Sequence, residues 1–252
     1  MSLEERVTDY NYNREEFLPP GFEEGFILCL GESTRSQRYD ALISIKNHLG
    51  STAVHKAAYR GNVRVLRAML KDMASAEIIV LVQLQNEDGY TALHYASAEN
   101  YPAIIACLLE NLLPEEKYTI MKIKQEGLTC LHHAALQHST EAINSLLQQL
   151  DAGKRFDLLQ EKSQRGKSVL HLVAEDGNCS SVSVILDQLR GSEILCLMNS
   201  EDEHHETPLD VAVRNKEWGI VHLLEQYRSL AVQSLDARAL PGKNTEQLFE
   251  LV

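Results

Sequence analysis

Ten histidines and five cysteines are the residues of this 252-residue chain whose types suit metal binding, proton transfer or nucleophilic attack. The densest cluster is His204-His205, flanked by Glu201, Asp202, Glu203 and Glu206, a mixture of imidazoles and carboxylates suited to a divalent ion. In a hairpin loop such a cluster is ordinarily solvated, and no metal is expected. Gly166-Lys167-Ser168 ends like a phosphate-binding loop, but that loop needs a glycine at position 161, where Glu161 stands. A nucleophile with a base would require Cys29 together with His48, His138 or His222. Cys29 lies within an apolar helical run with no glycine-rich turn to present it, and a buried thiol is inert. The chain is therefore read as non-catalytic, with no catalytic residue and no cofactor.

Four of the histidines belong to something larger. His55, His94, His132 and His171 each stand three residues after a threonine or serine in a recurring stretch: Gly50-Ser51-Thr52-Ala53-Val54-His55, Gly89-Tyr90-Thr91-Ala92-Leu93-His94, Gly127-Leu128-Thr129-Cys130-Leu131-His132 and Gly166-Lys167-Ser168-Val169-Leu170-His171. A fifth copy reads His205-Glu206-Thr207-Pro208-Leu209-Asp210, and the copies start 39, 38, 39 and 39 residues apart. A fixed period of that size specifies a stacked solenoid of supersecondary units. The hydroxyl residue ahead of each apolar run is a helix N-cap. Small residues then follow inside that helix (Ala57, Ala96, Ala134, Ala174, Ala212) and let neighbouring backbones approach. A second helix supplies one apolar face per copy, as in Leu66 with Met69 and Leu70, or Ile105 with Leu108 and Leu109.

The stretch resembles the ankyrin repeat, G-x-T-P-L-H-x-A-A, over about residues 50 to 227. Only the fifth copy keeps the proline, as Pro208, and the glycine that closes the first helix survives as Gly61 and Gly177. Asn100 is a good substitute for it in the left-handed conformation; His138 and Lys216 are poorer ones, so the third and fifth copies are expected to end that helix differently. The resemblance implies that the recurring histidines bond to loop backbone and tie neighbouring units. The period is about six residues longer than the family's 33. The surplus after each second helix, opening at Ser75, Pro114, Gly153 and Ser192, predicts a short third helix. The fold class is thus all-α, an ankyrin-repeat solenoid of helix-turn-helix units with an extra third helix and hairpin loops. Its expected divisions are a polar N-terminal arm (1–20) and a capping half-repeat (21–49). Five repeats follow (50–88, 89–126, 127–165, 166–204 and 205–228), and then a C-terminal cap and tail (229–252). The arm is expected to be extended, with Pro19-Pro20 breaking any helix; the tail is expected to contain a turn at Pro241-Gly242 and a short amphipathic helix from Asn244, and to be cut from a longer protein.

No run of about 18 apolar residues exists to form a transmembrane helix, and the N-terminus lacks signal-peptide features. The five cysteines are odd in number and set among apolar positions, which predicts buried free thiols in a reducing, cytoplasmic compartment. A formal charge of −12 argues against nucleic acid and anionic membranes as partners and favours a basic or apolar peptide surface. A monomer is expected.

The resemblance also implies a concave face, lined by hairpin tips and the open side of each first helix, that binds partner proteins. Carried over by position, its prominent members are Lys56, Tyr59 and Arg60 in the first copy, Tyr90 and Tyr95 in the second, Leu128, His133 and Leu136 in the third, and Glu175 and Asp176 in the fourth. They read as an aromatic and apolar strip, cationic at one end and anionic at the other, of the kind that makes interface hot spots. The expected function is a protein-interaction scaffold binding a protein or peptide. The alternative is the substrate-targeting module of a larger enzyme, a ubiquitin-ligase adaptor or a bacterial effector whose active domain lies outside this chain.

Overall fold

The hydroxyl residue of every recurring stretch marks a helix start in the computed structural model, which describes residues 1–12 and 21–236. In chain order the helices are α1 (Leu3–Tyr12), α2 (Phe22–Glu32), α3 (Arg35–Ser44), α4 (Ala53–Tyr59), α5 (Val63–Leu70), α6 (Ser75–Gln83), α7 (Ala92–Ala98), α8 (Pro102–Leu109) and α9 (Pro114–Met121). They continue as α10 (Cys130–Leu136), α11 (Thr140–Gln148), α12 (Ala152–Leu159), α13 (Val169–Glu175), α14 (Cys179–Leu186), α15 (Gly191–Met198), α16 (Pro208–Arg214) and α17 (Trp218–Asp236). Among the described residues the only extended pairing is two isolated bridges, Lys46 with Thr52 and Gln125 with Leu128, in the loops before α4 and α10. The expected third helices are α6, α9, α12 and α15. Their starts are fixed by a glutamate or aspartate: Glu77 accepts from Ala74 N–H at 2.8 Å, Glu116 from Leu113 N–H at 2.7 Å, Glu193 from Arg190 N–H at 2.8 Å, and Asp151 from Lys154 N–H at 3.0 Å.

Two compact units result, Met1–Leu150 and Asp151–Val252. In the first, the first helices stack as α4, α7 and α10, the second helices as α2, α5, α8 and α11, and the third as α3, α6 and α9. Leu66, Ile104, Ile105, Leu108 and Ile143 are fully buried between successive second helices, and Ala57, Ala96 and Ala134 between first helices. Each buried leucine or isoleucine stabilises by about 1.5–3 kcal/mol, so a short helix that is marginal alone is held by its neighbours. In the second unit α13 packs on α16, while the 19-residue α17 covers both α14 and α15. Where the earlier copies place buried Leu70, Leu109, Leu147 and Leu186, this last copy has exposed Glu225, a polar outer surface of the kind an end unit requires.

The structure departs from the sequence reading at the N-terminus. Residues 3–12 form a helix, α1, instead of an extended arm, and it packs on α2, α3 and α4. Leu3, Val7, Tyr10 and Asn11 recur at helical spacing and are buried, a stripe masked by the charged residues between them. Asn11 donates from Nδ2 to Ile45 O (3.3 Å) and Ser51 O (2.7 Å). One copy later, Leu84 O and Tyr90 O are bonded by His55. Asn11 therefore does for the first copy what the recurring histidine does afterwards, and α1 serves as a first helix without the recurring stretch. The remainder of the expected arm (13–20) and the tail from 237, with its expected turn and helix, lie outside the described residues.

A second departure concerns helix ends. His138 (φ 55°) and Lys216 (φ 63°) adopt the same left-handed conformation as Gly61, Gly177 and Asn100, so the third and fifth copies end their first helix like the others. The next residue's N–H reaches back to the helix in each case: Asn62 to Ala57 O, Tyr101 to Ala96 O, Ser139 to Ala134 O, Asn178 to Val173 O and Glu217 to Ala212 O, at 2.8–3.1 Å. The closing hydrogen bond imposes the conformation whatever the residue. A side chain there costs roughly 1–2 kcal/mol, offset in part by glycine's entropy. His138→Gly and Lys216→Gly are each expected to raise stability by about 0.5–1 kcal/mol, read as a higher urea midpoint at unchanged slope.

Candidate partner-binding face

The recurring histidines each tie down their own helix start, and His55 and His171 also latch one copy to the next. Thr52 N–H, Thr91 N–H, Thr129 N–H and Ser168 N–H donate to Nδ1 of His55, His94, His132 and His171 at 3.1–3.3 Å. A backbone N–H can only donate, so Nδ1 is the bare nitrogen and Nε2 carries the proton. Nε2 of His55 then donates to Leu84 O (2.9 Å) and Tyr90 O (3.2 Å), and Nε2 of His171 to Glu206 O (3.1 Å). Burial holds His55 and His94 neutral, at about 4, with His133 also pressing on His94. In the fifth copy Asp210 accepts from Thr207 N–H at 2.9 Å and starts the helix, but has no proton to pass forward.

With the latches set, the open side of α4, α7 and α10 and the hairpins before them form one surface of the first unit. Tyr59 meets Tyr95 edge to face at 5.8 Å, Tyr95 stacks on Tyr90 at 5.1 Å and 21°, and Tyr90 meets His133 at 5.3 Å. His133 in turn stands edge-on to His94 at 5.2 Å. The ladder is fixed from below by Asn86, which accepts from Tyr90 N–H (2.8 Å) and donates to Ser51 Oγ (3.1 Å) and Tyr95 Oη (3.0 Å). A pocket of about 190 Å³ opens beside it, walled by Asn47, Leu49, Ser51, His55, Lys56, Tyr59 and Tyr95. Asn86, Asn47 and Leu49 escape the sequence reading; the only signal of them is their place just ahead of the glycine of each hairpin.

The ten residues of the expected strip fare differently. Lys56, Tyr59, Tyr90, Tyr95 and His133 come together. Tyr59 and Leu136 are exposed (49% and 39%), Tyr90, Tyr95 and Leu128 are half-buried, and His133 is buried at 7%. Lys56 Nζ lies 5.8 Å over the Tyr59 ring. Arg60 is drawn away, its guanidinium 5.1 Å over buried Tyr10 of α1. Glu175 and Asp176 belong to the second unit. There Lys167 Nζ pairs with Glu175 at 2.5 Å, Arg214 Nε with Glu206 at 3.1 Å, and Arg214 Nη2 stands 3.9 Å from Glu175. Asn215 Nδ2 also donates to Glu175 O (3.0 Å). The corresponding surface of the second unit is thus charged and paired with itself, and that of the first is aromatic.

Elsewhere the chemistry-bearing residues are scattered. Among the described residues no group of three or more His, Cys, Asp or Glu is placed to hold a metal ion; His205 pairs with Glu201 at 3.0 Å and His204 faces Glu203 at 3.6 Å, all exposed. All five cysteines are free. Cys107 and Cys130 are buried as expected, and burial pushes the Cys130 thiol up to about 12. Cys179 is exposed, and Cys29 and Cys196 are half-buried, because they lie at a helix start or on helix flanks that neighbouring helices leave uncovered. No described helix is long and apolar enough to cross a membrane.

A family model described as ankyrin repeats, three copies, matches the chain over residues 29–120, 82–158 and 131–233. No curated protein matches it.

Proposed function

Because the chain belongs to the ankyrin-repeat family, whose repeats generally bind other proteins, we propose that it is a non-catalytic scaffold holding a protein or peptide on the α4–α7–α10 face of its first unit. The observation that carries this reading is the ladder of Tyr59, Tyr95 and Tyr90, backed by buried His133, left at a surface beside a pocket. Aromatic rings held against one another, with the Tyr95 hydroxyl anchored by Asn86, lose little entropy on binding and fill the role of interface anchors. The second unit supports the assignment by contrast, since Glu175, Glu206, Lys167 and Arg214 are already paired with one another and a partner would have to break those pairs. We place the protein in the cytoplasm as a monomer, where its five free thiols stay reduced.

Affinity capture from cytosol with the native chain beside a Tyr90→Ala, Tyr95→Ala, Leu128→Ala variant of equal helicity tests this. A partner held by the native chain and lost by the variant supports the reading. Equal capture by both would move the binding surface to the third helices or the second unit.

A further inference from the structure

Four carboxylates stand around the aromatic ladder: Glu87 and Asp88 on the hairpin before α7, Glu99 at the end of α7 and Glu126 on the hairpin before α10. All four are exposed, and none forms an ion pair with a described residue. The ring faces between them attract cations, since the π-electrons place negative charge above each ring. Lys56 over Tyr59 already illustrates the attraction. A second observation also points to a missing ligand group. His133 Nε2 is buried beside Tyr90 and has no hydrogen-bond partner among the described residues, an arrangement that costs free energy until something fills it.

We propose that the occupant of this face is a basic, arginine-containing segment of a partner protein, a proposal that rests on the reading of this face as the binding surface. A guanidinium is planar and carries five donors, so it can stack on the Tyr90–Tyr95 pair and donate to Nε2 of a neutral His133 in the tautomer that leaves that nitrogen bare. Glu87, Asp88, Glu99 and Glu126 meet the cations on either side of it. An aliphatic side chain of the same segment fills the pocket of about 190 Å³ between Leu49, Tyr59 and Tyr95. The charge of −12 steers a basic segment in and disfavours an acidic one.

The test is selection of a random twelve-residue displayed peptide library on the full chain, with recovered peptides then measured by fluorescence polarisation. Three chains are compared: the native one, Tyr90→Ala/Tyr95→Ala, and Glu87→Gln/Asp88→Asn/Glu99→Gln/Glu126→Gln, each checked for folding by circular dichroism. The expected result is enrichment of arginine next to aliphatic residues, with binding at least about tenfold weaker on each variant and falling with added salt. Peptides lost on the tyrosine variant but lacking basic residues and indifferent to the carboxylate variant would overturn the basic-segment proposal and leave the binding face standing. Peptides that bind the tyrosine variant as well as the native chain would overturn both. Recovery of no peptide would overturn a linear basic segment as the occupant.

Discussion

Lowering the pH from 7 to 4.5 is expected to unfold this protein, chiefly by protonating its buried histidines. His55, His94 and His133 are held near 4 by burial, against an ordinary histidine value of 6.5. A depressed value means the unfolded chain takes up the proton first. The stability these groups contribute is therefore complete above about pH 6.5 and is lost as the pH falls from there through 4. Each pH unit in that window costs about 1.4 kcal/mol per group, so three groups acting together approach about 4 kcal/mol per unit. The total stability of a domain is only about 5–15 kcal/mol. The chemistry agrees with the sign: a proton on Nδ1 of His55 or His94 would face the Thr52 or Thr91 N–H that now donates to it. Urea unfolding at a series of pH values reads the slope directly, and His133→Asn should flatten it by roughly one third. A flat profile down to pH 5 would contradict the latch geometry. For Asp151, Asp202 and Asp210, depressed below 3.8, the stability contributed is complete above that value and is lost only as the pH falls below it, outside this window.

Gly166→Ala is expected to cost the second unit about 2–4 kcal/mol, from backbone strain and a backbone clash together. Gly166 has φ +70°, and a Cβ there would stand 2.8 Å from Glu203 N, whose N–H donates to Arg165 O. Nothing flexible can give way, because the obstacle is main chain. Gly89 has the same hand (φ +82°), but its nearest neighbour is the Gln125 side chain at 3.6 Å. Gly89→Ala should therefore cost only the strain, about 1–2 kcal/mol. Equal losses in the two variants would show that the hairpins do not touch as closely at Gly166 as described.

The sequence makes the repeating scaffold legible because stacking needs the same groups at the same interval: a hydroxyl to start the helix, small residues to let backbones meet, and a histidine to reach the next copy. The third helices are equally readable from apolar residues that no two-helix unit accommodates. Local composition misleads where tertiary contacts decide. Val7, Tyr10 and Asn11 are buried by α2–α4 although their neighbours are charged. His138 and Lys216 turn left-handed because Ser139 and Glu217 must close a hydrogen bond. The binding face is legible as a list of residues and not as a set of contacts. That Arg60 turns to Tyr10 and that Arg214 joins Lys167 in claiming Glu175 depend on partners in a neighbouring copy, and that Asn86 props both Tyr90 and Tyr95 depends on how its hairpin folds back on α7.

The central claim is that the α4–α7–α10 face recognises the partner, and amide hydrogen exchange of the native chain with and without the captured partner tests it most directly. Slowed exchange confined to residues 46–60, 86–99 and 124–137 is the predicted result. Slowed exchange over α6 and α9, or only within the second unit, with those three segments unchanged, would contradict it.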